Sequence, residues 1–450
     1  MKRDLNSGSI WGNIIYFSLP FLLSYFLQTF YGLADLFIVG QYNGADIISA
    51  VSVGSQVMHM LTVVIVGLAM GSTVMIGRAV GAGNTKEEAR AIGNTMTLFM
   101  ALSLLLTAVL LLSVKSIVSL MMTPAEAVEE TRTYLMICFV GIPFITVYNV
   151  LSSVLRGRGD ARSPMLFVVI SCTLNIILDI VFIGFMDMRA AGAALGTVIS
   201  QTVSVFFALI FLAKKKTFSA LNARDMMPQG KMLSALLKIG VPIACQDAFI
   251  QISFIVITVI ANTRGVEIAA SVGIVEKIIG ILFLVPSAML STVSALAAQN
   301  IGGNLHKRAR TTMLCGITVT VAFGSICAVA CQFISPWLVG IFSDVPSVVE
   351  YGSQYLRSYV LDCVVAGIHF CFGGWFCAYG YSMVSFLHNM AAIFLIRIPG
   401  AYIAAELFPD NLFPMGLASP IGSLFSAIVC VMIYIFIRKK QKRSRPLEMH

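Results

Sequence analysis

Charged side chains are scarce in this chain. Asp, Glu, Lys and Arg make up 11% of its 450 residues, against about 25% in soluble globular proteins. So few charges cannot cover a surface in water. With 58% hydrophobic residues and a mean hydropathy of +0.90, the solvent this chain fits is lipid. Motifs for hydrolysis are missing as well. There is no GxxxxGK[ST] phosphate loop, no HExxH and no GxSxG, so neither nucleotide-driven transport by this chain alone nor metallopeptidase or serine-hydrolase chemistry is indicated. The ten cysteines contain no CxxC pair and lie in or beside apolar runs, where a thiol behaves as a small hydrophobe. No disulfide framework, structural zinc or cofactor is expected. No cleavable leader is expected either. The apolar run after Met1-Lys2-Arg3-Asp4, about Ile14 to Gly40, exceeds the roughly 7–15 residues of a signal h-region and reads as a spanning helix.

What is present is a series of long apolar runs. About 20 apolar residues cross a bilayer core as a helix. Twelve runs reach that length, at about 14–38, 46–74, 92–114, 133–154, 165–186, 190–213, 236–261, 267–298, 312–333, 353–376, 383–404 and 415–437. The fold class predicted is all-α integral membrane. The net charge of +9 sorts along this topology. With the N-terminus in the cytoplasm, the even-numbered loops hold Arg78, Lys86 and Arg90, then Arg156, Arg158 and Arg162, then Lys214, Lys215, Lys216, Arg224 and Lys231, and then Lys307, Arg308 and Arg310. Odd-numbered loops hold only Lys115, Arg132, Arg189 and Arg264, and one cytoplasmic loop, at Tyr379-Gly380-Tyr381, has no basic residue. This is the positive-inside pattern. It places both termini in the cytoplasm and makes the basic balance a topology signal with lipid as partner, not a nucleic-acid footprint.

The chain also repeats itself. Ala69-Met70-Gly71-Ser72-Thr73-Val74 returns as Ala288-Met289-Leu290-Ser291-Thr292-Val293, Val80-Gly81-Ala82-Gly83-Asn84 as Asn300-Ile301-Gly302-Gly303-Asn304, Tyr134-Leu135 as Tyr355-Leu356, and Pro20 as Pro242. A common offset of six spans gives two six-helix bundles related as parallel repeats, which suits alternating access. The division expected is a first lobe at 1–213, a cytoplasmic linker at 214–235, a second lobe at 236–437 and a basic tail at 438–450.

Against this apolar background, buried acids stand out. A charge at the bilayer centre costs at least about 2.5–3.5 kcal/mol on insertion scales, so each needs a partner, a wet cavity or a function. Asp35 in the first span and Asp179 in the fifth have no basic residue within a helical turn. Asn175 shares a helix face with Asp179, and Gln28 lies two turns before Asp35. Tyr134, Asn149 and Thr197 add polar groups from spans four and six. Desolvation and a neighbouring carboxylate both favour the neutral acid, whereas a bound organic cation favours the ionised one. Proton and cationic solute would then compete for one site. Alternatively the two acids cap broken helices or pair as neutral hydrogen-bonded acids. Pro20 removes a backbone hydrogen bond inside the first span and permits a kink, which could serve as a gate. In the second half, Arg397 stands near the position matching Asp179, with Asp247, Gln251, Glu276, Lys277, Asp362, His369 and His388 as further polar residues. Glu276 with Lys277, and Arg397 with Asp362, read as structural ion pairs or as a coupling site; the two histidines read as packing residues.

Asp35-Leu-Phe-Ile-Val-Gly40, Gly77-Arg78-Ala-Val-Gly81-Ala-Gly83-Asn84, Arg156-Gly157-Arg158-Gly159-Asp160 and Asn175-Ile-Ile-Leu-Asp179 together resemble the MATE (multidrug and toxic compound extrusion) transporters, nearest to their DinF/MepA-like bacterial branch. The resemblance implies a V-shaped pair of six-helix lobes in a bacterial cytoplasmic membrane, exchanging H⁺ or Na⁺ for cationic drugs, without catalytic residues and as a monomer. It assigns ion coupling to Asp35, Asp179 and Asn175, with Na⁺ as an occupant of that trio if sodium is the ion. Substrate contact falls to Gln28, Tyr134, Asn149 and Thr197, and gating to Pro20. The sodium-coupled branch carries acids on helices 7 and 10 of the second lobe. Asp362 resembles the second of these, while Asp247 and Gln251 are insecure matches to the first. A flippase for a lipid-linked sugar, from the wider superfamily, is the alternative reading; its cavity would be cationic, and here the first lobe is acidic.

Overall fold

The computed structural model describes residues 5–214 and 221–443, without the side chains of 440–443. Lys215 and Lys216 of the linker and the tail beyond 443 lie outside these residues, as do Met1 to Asp4. Among the described residues there is no strand. Lipid offers no hydrogen bonds, so each spanning segment must satisfy its own backbone, and a helix does so within itself. Twelve helices are long and apolar enough to cross a membrane. They are α1 (Ile10–Tyr42), α2 (Ala45–Gly81), α3 (Thr85–Leu120), α4 (Ala125–Gly157), α5 (Arg162–Phe185), α6 (Arg189–Lys214), α7 (Gly230–Asn262), α8 (Val266–Gly302), α9 (His306–Gly340), α10 (Pro346–Ala378), α11 (Ser382–Leu407) and α12 (Phe413–Lys439). Each covers one predicted span, and most extend past it because their ends are capped by polar residues that a hydropathy reading discards.

The motifs that carried the resemblance include this capping hardware. Gly83 takes a positive φ of 67° between α2 and α3, and Asn84 then caps α3 by accepting from Glu87 N at 3.1 Å. Gly159 takes φ 83°, and Asp160 receives Ser163 N at 3.0 Å and the Ser163 hydroxyl at 2.7 Å at the start of α5. In the second repeat the turn before α9 uses Asn304 at φ 57°, a conformation asparagine tolerates better than most residues.

Several helices depart from plain α geometry. The last turn and a half of α5, Ile180–Phe185, is a π-helix, and so is Ile393–Arg397 within α11. α8 is interrupted at Phe283, where Pro286 has no N–H to return to Leu282 O. α10 is interrupted between Tyr359 and Asp362, so that Asp362 opens its second segment. α1 runs unbroken through Pro20, and the Ser24 hydroxyl donates back to Pro20 O at 2.8 Å. Pro20, expected as a kink, thus lies inside a continuous helix.

The chain divides into two compact units, residues 1–244 with 298–306, and 245–297 with 307–450. In the first, α4 is the central helix, packed against α2, α3, α5 and α6, while α1 packs on α5. Interhelical hydrogen bonds to backbone carbonyls join them: Thr73 to Ser153 O at 3.1 Å, Thr107 to Phe139 O at 3.2 Å and Ser204 to Phe167 O at 2.8 Å. In the second unit, α10 holds the corresponding place between α8 and α12. Ser271 donates to Val348 O at 3.0 Å and Gln332 to Arg357 O at 3.0 Å.

The division does not fall at the linker. The linker itself packs on α3, where Asn94 donates to Asp225 O at 3.1 Å and accepts from Gln229 N at 2.7 Å. The first 15 residues of α7 and the end of α8 fold with the first unit. Close backbone approach explains this. A Cβ on Gly71 would strike Leu236 O, and one on Gly240 would strike Leu68 O; Gly81 meets Gln299 O and Gly302 meets Arg78 O in the same way. The Gln299 side chain donates to Gly157 O at 2.7 Å across this seam. Gly240→Val should therefore destabilise by about 1–3 kcal/mol, the usual cost of overpacking. Gly280→Val, where an added Cβ meets nothing within 4 Å, should not, and thermal unfolding of the detergent-purified protein compares the two.

Candidate functional site

In the first unit, α1 and α5 bring Asp35, Asn175 and Asp179 together. The Asp35 carboxyl faces the Asp179 carboxyl and the Asn175 amide and interacts with both. Helical spacing puts Asn175 and Asp179 on one face of α5. Cys172, one turn earlier, donates to Leu27 O at 3.6 Å and so fixes α5 against α1. The third wall is α6, where Gly196 has no side chain. A Cβ there would strike Asp179 Oδ1 and lie 3.6 Å from Asn175 Nδ2.

The site is dry. Asp35 is 4% exposed, Asn175 1% and Asp179 0%. Asp35 Oδ1, both Asp179 oxygens and both polar atoms of the Asn175 side chain have no hydrogen-bond partner. Buried polar groups are normally paired. This concentration of unsatisfied oxygens in one place is what a site for a proton or a small hard cation requires, and the donor set of carboxyl and amide oxygens fits either.

The surrounding polar residues sort themselves further. Tyr134 on α4 interacts with Asp35, while its hydroxyl lies 3.1 Å from Ser55 Oγ on α2; its ring packs on Gly54. Thr197 is half-buried and its hydroxyl has no partner. Gln28 is half-buried on α1. Asn149 is 7% exposed and its amide donates along its own helix to Ile145 O at 2.8 Å. Three residues escaped the sequence reading. Tyr31 lies one turn before Asp35 and interacts with it, a spacing open to inspection. Ser55 and Gly196 carry no signal by residue type, because serine and glycine are common in membrane helices.

The second unit holds a different cluster. Arg397, at the end of the π-helical turn of α11, interacts with Asp362 of α10 and Glu276 of α8. Its guanidinium lies 4.6 Å over the Phe254 ring and donates to the Tyr359 hydroxyl. Glu276 accepts from the Thr258 hydroxyl at 3.1 Å. The expected pairing of Glu276 with Lys277 is not made. Neighbours on a helix point about 100° apart, and Lys277 is exposed where Glu276 turns inward. Nor do Arg397 and Asp362 form a contact ion pair of the kind seen at Arg132–Glu129, Arg158–Glu88 and Arg189–Glu130. Asp247 is half-buried near Cys377 instead, Gln251 is half-buried, and Gln246 accepts from Ser385 at 2.9 Å. His369 and His388 pack edge to face with centroids 5.8 Å apart.

Twelve spanning helices built from a repeat, with polar clusters sunk in the apolar interior and no hydrolytic motif, define a multi-pass membrane transporter. The MatE family profile matches residues 20–181 and again 242–403, once in each repeat, and the chain belongs to this family of transporters. It is 27% identical to the probable multidrug resistance protein YpnP of Bacillus subtilis (strain 168), over 97% of either chain. It is 26% identical to the multidrug export protein MepA of Staphylococcus aureus (strain N315), over 92% of this chain and 90% of that one. A solved MATE structure in complex with MaL6 superposes with a TM-score of 0.91 over 98% of both chains at 23% identity, a likeness of fold.

The geometry around Gly196 yields a test. Gly196→Ala should push the Asp179 carboxyl aside and reduce transport nearly as far as Asp179→Asn does, in a protein that still runs as a single species on size exclusion. Gly32→Ala on α1, with open space around the new methyl, should transport normally in the same assay.

Proposed function

We propose that this chain is a secondary multidrug antiporter that exports organic cations in exchange for a proton, in a bacterial cytoplasmic membrane with both termini inside. One observation supports the reading: two carboxyl groups, from α1 and α5, interact in a buried cluster whose oxygens lack hydrogen-bond partners. Two carboxylates cannot both remain charged at such a distance without a counter-ion. A proton taken up from outside leaves the pair with a single negative charge. A cationic solute arriving from inside stabilises the ionised form and releases that proton, so occupancy by one disfavours the other. Alternating access then turns this exclusion into exchange. Exchange of one proton for one monovalent cation moves no net charge, so the pH difference drives it, and each pH unit, worth about 1.4 kcal/mol, sustains about a tenfold concentration ratio. Na⁺ is the other ion the oxygen donors suit.

Tyr134, Thr197, Asn149 and Gln28 are the polar groups from the surrounding helices available to orient the acids or meet the solute. Pro20 frees one carbonyl of α1 and leaves that helix easier to bend where it leads toward Asp35. The positive-inside pattern of the loops supports the orientation. The names of YpnP and MepA, both multidrug proteins, support the cargo class. An acidic cluster does not suit the pyrophosphate of a lipid-linked sugar, which leaves a flippase without support in the first unit.

The test is drug susceptibility in a host lacking its own pumps. The wild-type chain should protect against ethidium or a fluoroquinolone, and Asp35→Asn or Asp179→Asn should each return the host to the unprotected level at equal expression. Protection that survives both substitutions would reject the site. In proteoliposomes, ethidium movement should follow an imposed pH gradient and persist without sodium; movement driven by a sodium gradient alone would reassign the ion.

A further inference from the structure

The two repeats place different charges at matching positions. Tyr134 of α4 matches Tyr355 of α10, 221 residues on, and the same spacing matches Ser55 with Glu276, Gly141 with Asp362 and Asp35 with Val256. The same spacing carries Asp179 to Gly400, and Arg397 stands three residues before that position; a π segment begins just after Asp179 in α5 and another ends at Arg397 in α11. In the first repeat, then, the acids stand on α1 and α5 and the matching places on α2 and α4 are serine and glycine. In the second the acids have moved to α8 and α10, α7 offers valine, and α11 supplies a guanidinium.

This second cluster is built around that guanidinium. Arg397 stacks on Phe254, donates to Tyr359 and interacts with both acids. Asp362 is 2% exposed and its Oδ1 has no partner, nor has Glu276 Oε1. The other ionisable groups facing Arg397 are Tyr355, Tyr359 and His369. A guanidinium does not lose its proton in proteins, so neither a pH gradient nor a cationic solute can discharge it. Being covalently held, it also acts at an effective concentration that a free ion in the cell cannot match.

We propose that Arg397 is a tethered cation. It occupies, in the second unit, the role that the exchangeable ion has in the first, and so keeps Glu276 and Asp362 from binding a free monovalent cation. The carrier is thereby limited to one exchange site. This rests on the antiport reading above, but it is tested without transport.

The experiment uses the full-length chain in detergent, in an Asp179→Asn background that disables the first site. Thermal unfolding is followed in sodium chloride and in choline chloride at equal ionic strength. With Arg397 present, the midpoint should be the same in both salts. With Arg397→Met, the freed carboxylates should take sodium and raise the midpoint by a few degrees in sodium only, and adding Asp362→Asn should abolish that rise. Arg397→Lys should behave as the parent. A folded Arg397→Met protein indifferent to sodium overturns the proposal. So does a parent protein whose own sodium response disappears with Asp362→Asn, because the site would then already bind a free ion. If Arg397→Met does not fold in choline, recovery in sodium or on adding Asp362→Asn supports the compensation of charge, and failure of both to restore it overturns the proposal.

Discussion

Desolvation of a few carboxyl groups is the constraint around which this transporter is organised. A carboxylate held in a helix bundle inside lipid has neither water nor counter-ion unless the fold supplies one. Asp35, Asp179, Glu276 and Asp362 are each placed on a spanning helix, and each has a carboxyl oxygen without a hydrogen-bond partner. Their neighbours are chosen accordingly. In the first unit these are neutral groups that can accommodate either charge state, Asn175, Tyr31 and Tyr134. In the second the neighbour is a permanent cation. The first cluster has no permanent cation beside its acids, and the second has one.

Helix geometry serves the same end. The π-helical turns occur in α5 and α11, the two helices that carry Asp179 and Arg397. A π turn widens the backbone and re-aims the side chains beside it, a distortion found often at functional positions. α10 breaks just before Asp362, which puts that acid in the first turn of a helix segment, where the dipole favours negative charge. Glycine contributes by absence. At Gly196 it lets a carboxyl enter the space a methyl would fill, and at Gly71 and Gly240 it lets α2 and α7 meet backbone to backbone. Small residues are the usual means of close helix packing where no hydrophobic force separates helix from lipid.

Much of this architecture was legible because the bilayer reads sequence crudely. Spans, their number and the repeat follow from apolar length and from recurring short segments, and the turn motifs show themselves through Gly83, Asn84, Gly159 and Asp160. Asp35 and Asp179 were conspicuous for the same reason: an acid among Leu, Ile and Phe has no ordinary explanation. The second unit was less legible. Lys277 sits next to Glu276 in the chain and invites pairing, yet the helix turns one outward and the other inward. Asp247 and Gln251 were insecure matches to the acid on helix 7, and the acids that interact with Arg397 are instead Asp362 and Glu276.

The sequence by itself determined that the chain is a twelve-span membrane protein made of two repeats, because the cost of exposing polar groups to lipid leaves the chain no other economy of form. Only the tertiary structure decided which buried groups meet. Asp35 and Asp179 are far apart in sequence, and their approach depends on how α1, α5 and α6 pack and on the missing side chain of Gly196. Contacts between helices are set by shape at a few close approaches, and residue type alone does not encode them.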